Sequence, residues 1–275
     1  MTIDEMKELR KEYGFSYSMI AEGAELPLST VQKVFGGQTQ SPRYETLQQL
    51  SRYFEYQQHM MKMNSRRMAV SEPLPQWLKE PSGYQVKKKN QGEFTVEDYK
   101  NFPEDYRVEL IDGVVIEMEG PHSGHQMIAG EVHRQIANYI KARKGKCIPG
   151  IAPLDVQLDR DVWTMVQPDV MIVCDRDKFI NGNVFGAPDW VMEVISKYSK
   201  KRDCVKKLNK YMEAGVREYW IVDPGEQIVT VYDFEHSRFP IHYTFEDEIP
   251  VAILDGDLKI DMKEAKEYLY MYDQK

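Results

Sequence analysis

Two short apolar runs, each containing a carboxylate, constrain the fold of this chain more than any other feature. The first covers 166–175 (Val-Gln-Pro-Asp-Val-Met-Ile-Val-Cys-Asp) and the second covers 188–196 (Pro-Asp-Trp-Val-Met-Glu-Val-Ile-Ser). Such runs of Val, Ile and Met favour buried β-strands. A carboxylate buried in a strand is costly unless it is paired or binds a cation. We therefore expect Asp169 and Glu193 on neighbouring strands, sharing one divalent metal ion.

The segments around these runs predict a mixed α/β domain. Asp112-Gly113 separates two apolar stretches, which is a strong β-hairpin signal. Residues 126–144 have helical periodicity, with Ile128, Val132, Ile136 and Ile140 on one face. A mixed sheet flanked by helices accounts for this order of elements. Further strands are expected at 155–158, 169–174, 190–196, 218–222 and 228–234, with a helix over 199–214.

The helix expected over 199–214 supplies a candidate cation for the two acids. Asp203, Lys207 and Tyr211 are spaced i, i+4 and i+8, so they share one face of that helix. A lysine can stabilise the negative charge that develops on a phosphate. Mg²⁺ prefers carboxylate oxygens and keeps waters that can become nucleophiles. The order Asp, Glu, Lys therefore indicates metal-dependent cleavage of a phosphodiester.

The first 56 residues predict a small all-α domain. Helical spacing begins at Ile3, a short helix follows Ser16, a third covers Leu28–Phe35 and a fourth opens at Ser41-Pro42. Short helices joined by a tight turn near glycine are typical of helix-turn-helix domains. The same pattern also fits a small helical bundle that binds protein.

Composition narrows the class of protein. The net charge of −8 argues against a purely electrostatic nucleic-acid binder. No stretch approaches the roughly 20 apolar residues of a membrane span, so we expect no membrane partner. The three cysteines form no CxxC pair. We expect Cys174 to be a buried free thiol and the compartment to be a reducing cytoplasm.

Composition also predicts the domain boundaries. Residues 57–92 are rich in Met, Pro, Ser and Lys and lack a sustained period. We expect a helix-turn-helix domain over 1–68, which includes a helical extension over 57–68. A linker is expected over 69–92 and the mixed α/β domain over 93–275.

A series of motifs between residues 94 and 234 follows one order along the chain. They are Glu-Leu-Ile-Asp-Gly at 109–113, Pro168-Asp169, Pro188-Asp189 with Glu193-Val-Ile-Ser196, Arg202-Asp203 with Lys207-Leu208 and Tyr211, Ala214-Gly215-Val216, and Glu218-Tyr-Trp-Ile-Val-Asp-Pro224. Together these motifs closely resemble the Uma-type family of restriction-endonuclease-like proteins, within the PD-(D/E)XK nuclease superfamily.

The resemblance implies roles for individual residues and a Mg²⁺ cofactor, with Mn²⁺ as a possible substitute. The generic superfamily motif has lysine two residues after the second acid, where Ile195 stands here, so the lysine role moves to Lys207. Glu109 is the additional upstream acid, with Glu131 as a rival. A lone histidine is more often a structural hydrogen-bonding residue, but one recurs in the family at this place. The implied metal ligands are Asp169, Glu193 and Glu109, and the implied catalytic residues are these three with Lys207 and His125.

Residues 1–56 resemble the helix-turn-helix of phage-repressor-type regulators. On that resemblance Leu28–Phe35 is the recognition helix, whose first residues meet base edges in the major groove. The partner implied is DNA, bound by a homodimer at a palindromic or pseudo-palindromic site. The residues expected to face DNA are Ser29, Thr30, Gln32 and Lys33.

The favoured hypothesis is a Mg²⁺-dependent endodeoxyribonuclease targeted by its helix-turn-helix domain. The alternative is a non-catalytic DNA-binding transcriptional regulator whose second domain keeps a degenerate nuclease fold. A nuclease toxin held by a partner protein also fits the sequence. Asp169, Glu193 and a candidate lysine are all present, and this favours the enzyme.

Overall fold

The chain divides into two compact units in a computed structural model. The first unit is Met1–Met118 with Arg160–Met165, and the second is Glu119–Asp159 with Val166–Lys275. No described helix has both the length and the apolar character needed to cross a membrane. The helical extension expected over 57–68 and the greater part of the linker expected over 69–92 lie outside the described residues. The structure describes residues 1–13, 15, 17–39, 42–55, 73–79, 89–103, 105–118, 120, 122–158, 162–195, 202–237 and 239–272.

The first unit begins with four helices, as the sequence predicts. Their apolar residues meet in one core, in which Phe15 packs edge-on against Phe54 with ring centroids 5.7 Å apart. Gly37, just past the third helix, has a φ of +78° that suits glycine. The helices are α1 Ile3–Tyr13, α2 Tyr17–Gly23, α3 Leu28–Phe35 and α4 over 44–55.

The rest of the first unit consists of α5 (Gln76–Lys79), α6 (Val96–Lys100) and a hairpin of β1 (Val108–Ile111) and β2 (Val114–Glu117). The hairpin turns at Asp112-Gly113 with positive φ at both residues, 50° and 76°. This is the turn geometry that favours such a pair, so the hairpin prediction is confirmed. Two of the four tryptophans, Trp77 and Trp163, belong to this unit.

The second unit is built on a mixed sheet of six strands in the order β11-β10-β9-β8-β5-β3. The β8–β9 pair is parallel and is connected through α8, whereas the other four pairs are antiparallel. The predicted mixed α/β fold is confirmed. The six strands are β3 Ile148–Ile151, β5 Val170–Val173, β8 Trp190–Val194, β9 Glu218–Asp223, β10 Ile228–Asp233 and β11 Ile241–Thr244, and the helices are α7 Ser123–Ala142, α8 Arg202–Ala214 and α9 Met262–Tyr272.

Two small sheets complete the second unit. They are β4 (Val156–Gln157) with β7 (Asn183–Phe185) and β6 (Phe179–Ile180), and β12 (Glu248–Pro250) with β13 (Lys259–Asp261). The sequence analysis predicted β4, but it predicted no element after residue 234. It therefore missed β11 to β13 and α9.

Side chains of the six-stranded sheet alternate between two covered faces. The four predicted isoleucine and valine positions of α7 are all buried against one face, together with Met192 and the Trp190–Trp220 pair. The two indole rings meet at 69° with centroids 5.2 Å apart. Glu193 follows Met192 on β8 and Tyr219 precedes Trp220 on β9, so both point to the opposite face, where the ring of Tyr211 on α8 lies 4.9 Å from that of Tyr219. The sheet is therefore held between helices, with the most apolar side toward α7.

The prediction of a free thiol at Cys174 is wrong, because Cys174 forms a disulfide with Cys147. Antiparallel pairing of β3 with β5 places Ile148 opposite Val173, and the next pair in this register is Cys147 with Cys174. The sequence does not predict β3, because Pro149 interrupts this strand. Proline is tolerated in a strand at the edge of a sheet, which is where β3 lies. The cysteines are therefore not all unpaired, and they do not indicate a reducing compartment.

Candidate active site

Asp169, the residue before β5, and Glu193, on the adjacent strand β8, lie at neighbouring positions in the second unit. The antiparallel register pairs Val170 of β5 with Met192 of β8. One step further along this register, Asp169 precedes β5 at the position opposite Glu193. Both are largely buried, with 8% of each residue exposed. The structure thus brings together the two acids that the sequence singled out.

The Asp169 carboxylate is held by a backbone amide and by His125. Oδ2 accepts a hydrogen bond of 2.7 Å from the N–H of Val194, the residue after Glu193. The same oxygen lies 3.0 Å from Nε2 of His125, in the first turn of α7. The backbone is fixed as well, because the carbonyl of Asp169 accepts from the N–H of Ala152 just beyond β3.

His125 is the hydrogen-bonding partner of Asp169. Burial by itself would lower the pKa of the imidazole, but the hydrogen bond to Asp169 and the negative charges of Asp169 and Glu193 outweigh it. The pKa of His125 is therefore raised above its usual value. A proton on Nε2 is donated to Asp169. The other ring nitrogen, Nδ1, is buried and has no hydrogen-bond partner among the described residues.

Glu193 receives two donors from α8. Lys207 Nζ lies 3.0 Å from Oε1, and the Tyr211 hydroxyl donates to the same oxygen at 2.7 Å. The two side chains are one helical turn apart and are almost completely buried, with 6% of Lys207 and none of Tyr211 exposed. The sequence placed both on one helix face directed at the acids, and the structure has them there. Asp203, expected on the same face, lies within α8, but its side chain is not among those that the structure describes.

These contacts change the argument for a metal ion. The sequence analysis inferred a cation from the cost of burying two carboxylates. Here Lys207 pairs with Glu193, and His125 pairs with Asp169. Protein groups therefore already compensate much of the buried negative charge. Burial of the two carboxylates therefore does not by itself require a metal ion.

The carboxylate pair nevertheless suits a hard divalent ion that keeps its waters. Mg²⁺ is commonly bound through one or two carboxylates together with waters and substrate phosphates, and Asp169 and Glu193 match that donor set. Among the described residues, no group of three or more His, Cys, Asp or Glu side chains is arranged to hold a metal ion. The residues therefore fit a sparse, two-carboxylate site.

The two candidates for an upstream acid differ in position. Glu109 is buried on β1 in the first unit, opposite Ile116 of β2, and its role as a third ligand stays a prediction. Glu131 is buried on α7 in the second unit, where its carboxylate accepts from Arg134 Nε at 2.9 Å and from Gln135 at 2.9 Å. Arg134 also contacts Glu264 of α9. Glu131 therefore helps to join α7 to α9, a structural role.

The predicted recognition helix α3 presents the predicted residues to solvent. Ser29, Gln32 and Lys33 are exposed and Thr30 is half-buried. The other face is buried in the helical core through Val31, Val34 and Phe35. The exposed face carries hydroxyl, amide and ammonium groups, all of which can contact bases or phosphates.

One buried acid escaped the sequence analysis. Glu218 at the start of β9 is fully buried and accepts from Trp220 Nε1 at 2.6 Å and from the N–H of Ile253 at 3.0 Å. Burial raises its pKa to about 7, against the lowering effect of these hydrogen bonds. It pairs with Trp190 on the α7 side of the sheet, away from Glu193. The sequence pattern that could have identified this acid is the run Glu-Tyr-Trp-Ile-Val, in which a carboxylate adjoins apolar strand residues, as it does at Asp169 and Glu193.

Comparison with known proteins gives two family matches. Residues 96–263, more than half of the chain, match the model of the Uma2 family, which is described as "Putative restriction endonuclease". Residues 6–57 match a helix-turn-helix family. No match was found among curated proteins.

A solved structure with a similar fold is described as "a putative nuclease belonging to DUF820 from Anabaena variabilis ATCC 29413". It is 22% identical in sequence and superposes with a TM-score of 0.53. The match covers 64% of this chain and 99% of that one. At this identity the likeness establishes the fold alone.

Proposed function

The chain belongs to the Uma2 family of restriction-endonuclease-like proteins and carries an N-terminal helix-turn-helix domain, and from this we propose that it is a metal-dependent DNA endonuclease. The observation that carries the proposal is the pair of buried carboxylates opposite each other, with Lys207 3.0 Å from Glu193. Two buried acids and a lysine held close to strand β8 suit hydrolysis of a phosphodiester.

Each residue of the site has a proposed part in the reaction. Asp169 and Glu193 would hold Mg²⁺, for which Mn²⁺ would substitute, and the bound ion would supply Lewis acidity and an activated water. Lys207 stabilises the charge that develops on the phosphate oxygens. His125 keeps its proton on Nε2 and fixes the orientation of Asp169. Glu109 remains a candidate third acid.

Targeting is proposed to come from α3. The exposed Gln32 and Lys33 would contact base edges or phosphates in the major groove, as would Ser29 and Thr30. We propose that the chain acts as a homodimer on a palindromic or pseudo-palindromic DNA site.

One observation favours a second candidate, a non-catalytic DNA-binding regulator. The acids already have protein partners that compensate their charge, so the second unit can keep these residues for stability alone. The two candidates differ in whether the chain cleaves DNA.

A plasmid-nicking and oligonucleotide-cleavage assay separates them. We expect cleavage with Mg²⁺ or Mn²⁺ and none with EDTA. Asp169→Asn, which keeps an acceptor for Val194 and His125, is expected to lose cleavage while melting cooperatively. Asp177→Asn alters an exposed aspartate shortly after β5 and is the matched control. DNA binding without cleavage under every metal condition would instead support the regulator.

A further inference from the structure

The Tyr211 hydroxyl is the second donor on Glu193, and neither the proposed mechanism nor the family match assigns it a role. From its contacts we infer that Tyr211 is a positioning residue, which fixes the Glu193 carboxylate for the divalent cation when Lys207 turns to the phosphate. The inference rests on the proposed function and extends it to a residue outside the acid–acid–lysine set.

Oε1 of Glu193 accepts hydrogen bonds from two side chains of α8. A carboxylate oxygen has two lone pairs, and here Oε1 accepts both from Lys207 at 3.0 Å and from Tyr211 at 2.7 Å. Tyr211 makes the shorter contact from a packed ring, whereas Lys207 reaches the oxygen on a flexible stem, so it is Tyr211 that fixes the rotation of the carboxylate. A rotationally fixed ligand loses less freedom on binding an ion, which is why partners of metal ligands strengthen metal affinity.

The two donors on Glu193 differ in how freely they can move. Lysine bears its charge on a flexible four-carbon stem, so Lys207 can leave Glu193 for a phosphate oxygen. Tyr211 cannot follow, because it is fully buried and its ring packs against Tyr219 with centroids 4.9 Å apart. Its hydroxyl therefore stays on Glu193. Tyr211 holds the acid in place while Lys207 exchanges partners.

Tyr211→Phe tests this role, because the change removes one oxygen and keeps the packed ring. Binding of Mn²⁺ and Mg²⁺ to the full-length protein is measured by calorimetry without DNA, beside a melting curve without metal. We expect the metal Kd to rise about 10- to 100-fold, as is typical for loss of a partner of a metal ligand. The metal concentration for half-maximal cleavage rises in parallel, and the rate at saturating metal stays near that of the wild type.

The control is Tyr243→Phe, which removes a hydroxyl from β11 at the sheet edge farthest from β5 and is expected to leave metal binding unchanged. A folded Tyr211→Phe protein with wild-type metal affinity would overturn the positioning role and leave the proposed nuclease standing. A fall in the plateau rate with unchanged metal affinity would also overturn it. If the wild-type protein binds no divalent cation, both the positioning role and the metal-dependent function fall.

Discussion

At the scale of single residues, Glu193 and its two donors are central to the proposed reaction. Lys207 brings charge and Tyr211 brings a fixed neutral hydrogen bond to the same oxygen. Their substitutions are therefore expected to give opposite results, one acting on the rate and the other on metal affinity. Comparison of the two variants shows whether the site separates transition-state stabilisation from metal binding.

Replacing Lys207 with Met keeps the apolar stem and removes the ammonium. Cleavage at saturating metal is expected to slow by about 10²-fold or more, the usual cost of losing a contact to the transition state. The metal Kd should stay within a few-fold, because Tyr211 still holds Glu193. Single-turnover cleavage and calorimetry measure the two quantities.

The control for Lys207→Met is Lys141→Met, which alters an exposed lysine in the last turn of α7. It is expected to cleave at the wild-type rate. Equal losses in both variants would show that the protein contributes general positive charge, and full activity in Lys207→Met would remove this lysine from the mechanism.

Glu218 should make stability depend on pH. Its folded-state pKa of about 7 lies above the ordinary value of 4.5, so between these values the folded state holds a proton that the unfolded state has lost. The contribution of Glu218 is therefore greatest below pH 4.5 and is lost as pH rises toward 7, by at most about 1.4 kcal/mol per pH unit. Chemical denaturation at several pH values measures the slope.

Glu218→Gln removes this ionisation, so the fall in unfolding free energy between about pH 5 and pH 7 should become shallower than in the wild type. Glu248→Gln changes an exposed glutamate on β12 and should keep the wild-type slope. Identical slopes in Glu218→Gln and the wild type would show that Glu218 is ionised in the folded protein throughout this range.

At the scale of elements, the sequence reveals long periodic segments and misses short interrupted ones. The α7 helix and strands β5 and β8 follow from periodicity and from apolar runs, and Lys207 follows from helix spacing. In contrast, β3 contains Pro149 and Gly150, and it forms only because β5 offers it an edge. The strands β11 to β13 have three or four residues each, too few for a period to show. Tyr211 was placed on the correct face, but its contact with Glu193 depends on how α8 packs.

The disulfide at the β3–β5 edge should contribute measurably to stability. The two cysteines are 27 residues apart in sequence, and for a loop of that size chain entropy predicts a stabilisation of about 3.5 kcal/mol. Dithiothreitol should therefore lower the wild-type melting temperature by several degrees. The Cys147→Ser/Cys174→Ser double variant should melt at that lower temperature whether or not the reductant is present. A wild-type protein that melts identically with and without the reductant would show that these thiols are not bonded in solution.

At the scale of the whole molecule, the proposed function assigns DNA recognition and cleavage to different parts of the chain. We expect Lys33→Ala in the full-length protein to weaken binding to all DNA sequences and to lower the salt dependence by about one counterion. Gln32→Ala should instead relax the preference among sequences selected from a random library. Lys7→Ala removes a lysine from α1 and should do neither. If Lys33→Ala and Gln32→Ala both bind as the wild type does, α3 is not the recognition helix.

The tryptophans give this molecule its own optical reporters. Trp77 and Trp163 belong to the first unit, and the edge-to-face pair Trp190 and Trp220 lies in the core of the second. Replacing either pair with phenylalanine leaves intrinsic fluorescence that follows the unfolding of one unit alone. The close, tilted indoles of the second pair should also give a near-ultraviolet circular dichroism signal that vanishes when the sheet opens. Because Trp220 donates to Glu218, its emission should shift as that carboxyl titrates.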